Sequence, residues 1–131
     1  MGKKVLSVDD DADIRTFVLT VLEENNYNPI IAKNGEEGLA KVKEEMPDLV
    51  ILDVLMPKQS GIKMYRELKT NDSFKDIPVI ILSGISKRVF LRSQEALTEF
   101  GGENVPEPDA YIEKPVEPDE LAEIVKKFVG E

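Results

Sequence analysis

The stretch Leu49 to Pro57 reads LVILDVLMP. Four consecutive apolar residues run straight into one acid, Asp53, and a proline closes the segment. A short unbroken apolar run bounded by turn signals predicts a strand buried on both faces, as in the middle of a parallel sheet. A carboxylate at the end of such a strand lies at the carboxyl edge of the sheet, where open α/β folds bind their ligands. Taken alone, Asp53 reads as a strand-ending residue that caps the next turn. Its surroundings change that reading.

Upstream, Lys4–Val8 (KVLSV) is a second such strand, and it ends in Asp9, Asp10 and Asp11. After it, Ile14, Phe17, Val18, Val21 and Leu22 recur at helical spacing, and Ile30–Ala32 makes a short strand. Leu39, Val42 and Met46 then mark one face of a helix that Pro47 stops. Downstream, the turn Met56–Gly61 leads into a helix carrying Ile62, Tyr65 and Leu68. Pro78–Leu82 is a fourth apolar strand, ending at Ser83-Gly84. The helix after it, from Lys87 to Phe100, is expected to turn Val89, Phe90, Leu97 and Phe100 inward. Beyond the Gly/Pro/Glu-rich segment Gly101–Asp109, a fifth strand, Ala110–Ile112, reaches Lys114-Pro115. Leu121, Ile124, Val125 and Phe128 line the last helix. Strand and helix alternate throughout, with no internal repeat. Residues 1–131 are therefore expected to form a single α/β domain, a parallel sheet with helices on both faces.

Right-handed crossovers bring the carboxyl ends of all strands to one edge. The first strand delivers Asp9 and Asp10 there, the third Asp53, the fourth Ser83 and the fifth Lys114. Two carboxylates about 4 Å apart repel by roughly 4 kcal/mol at an effective dielectric near ~20. Three acids in one crevice therefore call for a cation or a bound proton. Mg²⁺ suits such a site, since it keeps several waters while binding one or two carboxylates and phosphate oxygens. A carboxylate oxygen left over can act as a nucleophile, as in aspartyl-phosphate enzymes. Lys114 and Ser83 are suited to hold the incoming phosphoryl oxygens. Each residue also has a plainer reading: Asp9 and Asp10 favouring the positive end of the next helix, Ser83 a cap, Lys114-Pro115 a surface turn, Tyr111 a packed strand residue. Four strand ends with compatible groups argue for a shared site.

Composition narrows the chemistry. The net charge of -9 argues against direct nucleic-acid binding, which needs a basic footprint. With no Cys and no His, disulfides, thiolate chemistry, His-ligated metals and a Ser-His-Asp triad are excluded. No apolar run approaches the roughly 20 residues that cross a bilayer. The N-terminus, MGKKVLSVDDD, lacks a secretory h-region, so a cytoplasmic protein without membrane contact is expected.

VDDDADIR after the first strand, LDVLMPKQSG after the third, ILSG after the fourth and YIEKP at the fifth together resemble the receiver domain of two-component response regulators. The resemblance runs along essentially the whole chain. It implies a flavodoxin-like fold with strand order 2-1-3-4-5. It implies that Asp53 accepts a phosphoryl group from the phosphohistidine of a sensor histidine kinase or a histidine phosphotransfer protein. Asp10, Asp53 and the backbone carbonyl of Leu55 would bind Mg²⁺ directly, and Asp9 through water. Ser83 and Lys114 would contact the phosphoryl group, and Ser83 and Tyr111 would form the switch. That switch would present the face of the fourth helix, fifth strand and fifth helix to a downstream protein. Such a chain is a phosphoacceptor that assists its own phosphorylation and dephosphorylation rather than an enzyme. Leu55 and Ile85, two residues beyond Asp53 and Ser83, are apolar and cannot orient an attacking water, which implies slow self-dephosphorylation.

Two departures accompany the resemblance. The stretch from Ser83 to Lys114 is longer than expected, with the excess in Gly101–Asp109 (GGENVPEPD) beside the output face. No output domain follows the last helix, so the chain is expected to be a stand-alone receiver or an excised one. Three other readings compete. A haloacid-dehalogenase-type phosphohydrolase would want an acid where Leu55 stands. A flavodoxin-like cofactor binder would not put three aspartates where a phosphate must bind. The third is a non-phosphorylated receiver-like interaction module, which Mg²⁺ binding would distinguish from the active form.

Overall fold

Residues 2–99 and 104–130 are described by the computed structural model of the chain. The strands β1 (Lys4–Val8), β2 (Asn28–Ala32), β3 (Leu49–Leu52), β4 (Val79–Ser83) and β5 (Ala110–Glu113) alternate with α1 (Ala12–Glu24), α2 (Gly35–Glu45), α3 (Ser60–Thr70), α4 (Lys87–Glu99) and α5 (Pro118–Val129). All five strands pair in parallel, in the order β2-β1-β3-β4-β5. This is the flavodoxin-like α/β arrangement expected from the sequence. Among the described residues no helix is long and apolar enough to cross a membrane.

The unbroken apolar runs follow from this topology. Successive residues of a strand point to opposite faces, and here each face carries its own core. Leu6, Val8, Val50, Leu52, Val79 and Ile81 belong to one core, packed with Val42, Met64, Tyr65, Leu68 and Phe90 from α2, α3 and α4. Val5, Leu49, Ile51, Ile80 and Leu82 belong to the other, packed with Val18, Val21 and Leu22 of α1 and Leu121 and Val125 of α5. Every residue of β3 and β4 is buried, each apolar side chain contributing roughly 1.5–3 kcal/mol of transfer free energy.

The helices start and stop for local reasons. Asp11 caps α1, its side chain accepting from the N–H groups of Asp13 and Ile14. Asn34 caps α2 through the N–H of Glu37. At the end of α2, Met46 takes the left-handed conformation (φ 45°, ψ 66°) and closes the helix ahead of Pro47. Met46 is consequently 50% exposed rather than part of the inner face. The inner face of α4 also differs from expectation. Phe90 and Gln94, one turn apart, are buried, whereas Val89 and Leu97 are 55% and 39% exposed. Val89 sits about 100° around the helix from Phe90, and the packed stripe gives way to solvent by Leu97. Phe100 and Gly101 to Glu103 lie outside the described residues.

The sheet places its carboxyl edge accurately because the ladder runs one residue past β1, β3 and β5. The N–H of Asp9 donates to Ala32 O (3.1 Å), that of Asp53 to Val8 O (2.9 Å) and that of Lys114 to Ser83 O (2.8 Å). The start of α3 closes directly onto this edge. A Cβ on Gly61 would lie 2.2 Å from the Asp53 carbonyl oxygen and 2.8 Å from Val54 Cα, both backbone atoms that cannot swing aside. Gly61→Ala is therefore expected to lower unfolding free energy by about 1–3 kcal/mol in urea titration. An unchanged midpoint would mean that α3 does not press on the Asp53 backbone.

Candidate functional site: an acidic crevice at the carboxyl edge

Asp9 and Asp53 leave adjacent strands, β1 and β3, side by side. Both are almost fully buried, at 3% and 4% exposure, and Asp10 beside them is exposed. One carboxylate oxygen from each of the three lies within 4.8 Å of the other two. Lys114, at the end of β5, reaches across the edge, its Nζ donating to Asp9 Oδ2 at 2.9 Å and to Asp53 Oδ2 at 3.3 Å. The remaining oxygens are held by backbone. Asp9 Oδ1 accepts from the N–H of Asp11 (2.9 Å) and Asp53 Oδ1 from that of Leu55 (2.8 Å). Asp9, Asp10, Asp53 and Lys114 thus come together as expected.

The electrostatics of this group are unbalanced. Burial raises the pKa of the Asp9 carboxyl; the N–H of Asp11 and the Lys114 ammonium oppose the shift, and the Asp53 charge adds to it. Burial also works against the Lys114 charge, but the hydrogen bond and charge of Asp9 and those of Asp53 outweigh it and raise the lysine. The Lys114 shift reflects two carboxylates acting on one ammonium, whereas the Asp9 shift is chiefly the cost of burying its charge. A carboxylate set of this kind, all oxygen donors with surplus negative charge, fits a hard divalent cation such as Mg²⁺.

Ser83 is fully buried at the end of β4. Its Oγ accepts from the N–H of Ile85 at 3.5 Å, and its described hydrogen bond is to that residue rather than to Asp53. Tyr111 joins the same segment from β5, its hydroxyl donating to the carbonyl of Ile85 at 2.8 Å. Burial, with the charges of Glu113 and Asp53, pushes the Tyr111 hydroxyl up to about 12, so it stays a donor at neutral pH. The ring packs on Phe90 at 5.6 Å, and Phe90 in turn meets Tyr65 edge-to-face at 5.5 Å. Tyr65 donates its hydroxyl to the Pro106 carbonyl. The segment before β5 is pinned again at Asp109, whose Oδ2 accepts from Val79 N–H (2.8 Å) and Lys69 Nζ (3.3 Å).

Sequence reasoning missed Arg15, which donates from Nη1 to the Asp9 backbone carbonyl at 2.8 Å and fixes the β1–α1 turn from one helical turn away. Its signal was present: a cation on the first turns of a helix that starts among acids. The plainer reading put Asp9 and Asp10 at the positive end of the next helix; the side chain that caps that helix is Asp11. Asp9 and Asp10 are thereby left for the crevice.

The response regulator receiver domain family matches residues 5–126. The chain is 35% identical over 126 residues to the phosphate regulon transcriptional regulatory protein PhoB of Escherichia coli, covering 96% of this chain and 51% of PhoB. It therefore spans about half the length of that relative. The polar-differentiation response regulator DivK of Brucella anthropi is 29% identical over 131 residues, covering 100% of this chain and 99% of DivK. Among solved structures, a CheY-like response regulator receiver domain protein of Methanospirillum hungatei aligns with a TM-score of 0.78 at 30% identity, covering 97% of this chain and 93% of that one.

The charge balance gives a pH-dependent expectation. Removing the Lys114 ammonium leaves Asp9 and Asp53 buried without their cation, a loss of about 1–3 kcal/mol at pH 7. Because the Asp9 pKa is raised, its ionised form is the less stable one in the fold, and protonation relieves the deficit as pH falls. Lys114→Met should therefore destabilise the protein at pH 7, with the difference from wild type shrinking towards pH 4. Equal destabilisation at both values in denaturant titrations would show that Lys114 acts through packing alone.

Proposed function

The chain belongs to the response regulator receiver domain family, and from that premise we propose that Asp53 is its phosphoacceptor. The observation that carries this reading is the Asp53 carboxylate itself. It is buried, its Oδ1 is held by the Leu55 N–H, and its Oδ2 shares the Lys114 ammonium with Asp9. In the reaction, the N–P bond of a phosphohistidine on a sensor kinase or a phosphotransfer protein breaks. An O–P bond forms at a carboxylate oxygen of Asp53, and the imidazole nitrogen leaves with the bonding pair.

Asp9, Asp10 and Asp53, with the Leu55 carbonyl, are the groups that would hold Mg²⁺, Asp9 through water. When bound, the cation supplies neutralisation of the carboxylates and of charge developing on the phosphoryl oxygens. Lys114 is already aimed at Asp53 and needs only a small displacement to donate to those oxygens. The Arg15 contact and the Asp11 cap hold the β1–α1 turn, so the acids need not reorganise.

The downstream effect follows from charge. A phosphoryl group adds about -1.5 to -2 charges at Asp53, which attracts the Ser83 hydroxyl at the neighbouring strand end. Ser83 N-terminal to Ile85, and Tyr111 bonded to Ile85, form one short connection. Movement of Ser83 therefore changes the seat of the Tyr111 ring and alters the face of α4, β5 and α5. The exposed Val89 and Leu97 on α4 give that face apolar contact surface for a protein partner.

Intact mass after incubation with acetyl phosphate tests the chemistry. The expected result is one added phosphoryl group, dependent on Mg²⁺ and absent in Asp53→Asn. Labelling that persists in Asp53→Asn, or none in wild type with Mg²⁺, would overturn it.

A further inference from the structure

Next to the acidic crevice, the starts of α2 and α3 border a cavity of about 580 Å³, within the roughly 300–1,000 Å³ range of small-molecule sites. Leu39, Pro57 and Met64 give it an apolar wall, and Lys33, Lys58 and Lys63 stand around it. The wall is built into the fold. A Cβ on Gly35 would lie 2.0 Å from the Ser60 carbonyl oxygen, and one on Gly38 would lie 2.8 Å from Met64 Sδ. The approach at Gly35, against backbone that cannot swing aside, requires glycine. Ser60 Oγ fixes the approach by accepting from the Gly35 N–H at 3.2 Å.

The charge of the lining runs against that of the molecule. The protein carries -9 overall, yet Lys33, Lys58, Lys63 and Arg15 face three acids here, Asp10, Glu36 and Glu67. Arg15 is engaged with the Asp9 carbonyl. The three lysines make no ion pair with any described residue; the paired lysines are Lys4, Lys69, Lys75, Lys87 and Lys114. Lys3, Lys41, Lys43, Lys126 and Lys127 are likewise without an ion pair among the described residues; what sets Lys33, Lys58 and Lys63 apart is that all three border one apolar wall. Lys58 is moreover set in the left-handed region (φ 59°, ψ 21°), which residues other than glycine seldom adopt.

We propose that this cavity binds a small organic anion. Its apolar body, an aromatic ring or short acyl group, packs on Leu39, Pro57 and Met64. Its phosphate, sulfonate or carboxylate meets Lys33, Lys58 and Lys63. Asp10 borders both this cavity and the acid cluster, so such a ligand sits beside the crevice; the inference does not depend on phosphorylation of Asp53.

The test is titration of the ¹⁵N-labelled protein with 1-anilinonaphthalene-8-sulfonate, followed by amide chemical shifts. Saturable shifts confined to residues 33–39 and 57–67 are expected. The Kd should rise about tenfold in Lys33→Gln/Lys63→Gln, from two lost charge contacts. It should stay unchanged in Lys3→Gln/Lys43→Gln, which removes the same charge elsewhere. Shifts scattered over the surface, no saturation, or equal Kd in both double variants would overturn the site. Equally tight binding of the neutral N-phenyl-1-naphthylamine would overturn its selectivity for anions.

Discussion

One ammonium group between two buried carboxylates organises this molecule. Lys114 Nζ touches Asp9 and Asp53 at once, and so ties the ends of β5, β1 and β3 together at one edge. The tie is incomplete by charge: Asp10 adds a third carboxylate within 4.8 Å, and burial disfavours the ionised form of Asp9. A fold that minimised its own energy would not collect acids there. Surplus carboxylate oxygens of this kind fit a hard divalent cation.

The scaffold makes that imbalance tolerable. Two apolar cores, one on each face of the sheet, anchor β3 and β4, in which every residue is buried. Ladder bonds at Asp9, Asp53 and Lys114 carry this rigidity one residue beyond the strands. Gly61 lets α3 close on the Asp53 backbone, and Asp11 and Arg15 hold the turn after β1. The aromatic contacts Tyr111–Phe90–Tyr65 then connect the site edge to the segment before β5 through Pro106. Residues 104–109 are thus joined to the same packing as Tyr111. Their contact at Asp109 lies at the opposite edge of the sheet from Asp53.

Much of this was legible in the residues, for a physical reason. Strands buried on both faces must be apolar at every position, so LVIL and VIIL announce themselves without any partner. Parallel topology then dictates that Asp9, Asp53, Ser83 and Lys114 share an edge. What could not be read depends on tertiary packing or on the exact turn of a helix. Gln94 takes a buried place on α4 that an apolar pattern reserves for Leu97, because its Oε1 accepts from Arg66 Nη1 at 2.7 Å. Met46 leaves the inner face because it is the left-handed cap of α2. Which of three successive aspartates caps α1 is likewise a matter of backbone dihedrals: Asp11 is extended at φ -86°, ψ 116° and accepts two N–H groups. The pattern of apolar residues carries none of that information.

The central claim is that surplus negative charge at this edge makes a divalent-cation site. Isothermal titration calorimetry with Mg²⁺ on wild type and Asp10→Asn tests it most directly, since Asp10 is exposed and its substitution leaves the buried pair and its lysine intact. The account predicts one Mg²⁺ per chain in wild type and markedly weaker binding in Asp10→Asn. No binding to wild type, or binding indifferent to Asp10, would contradict it.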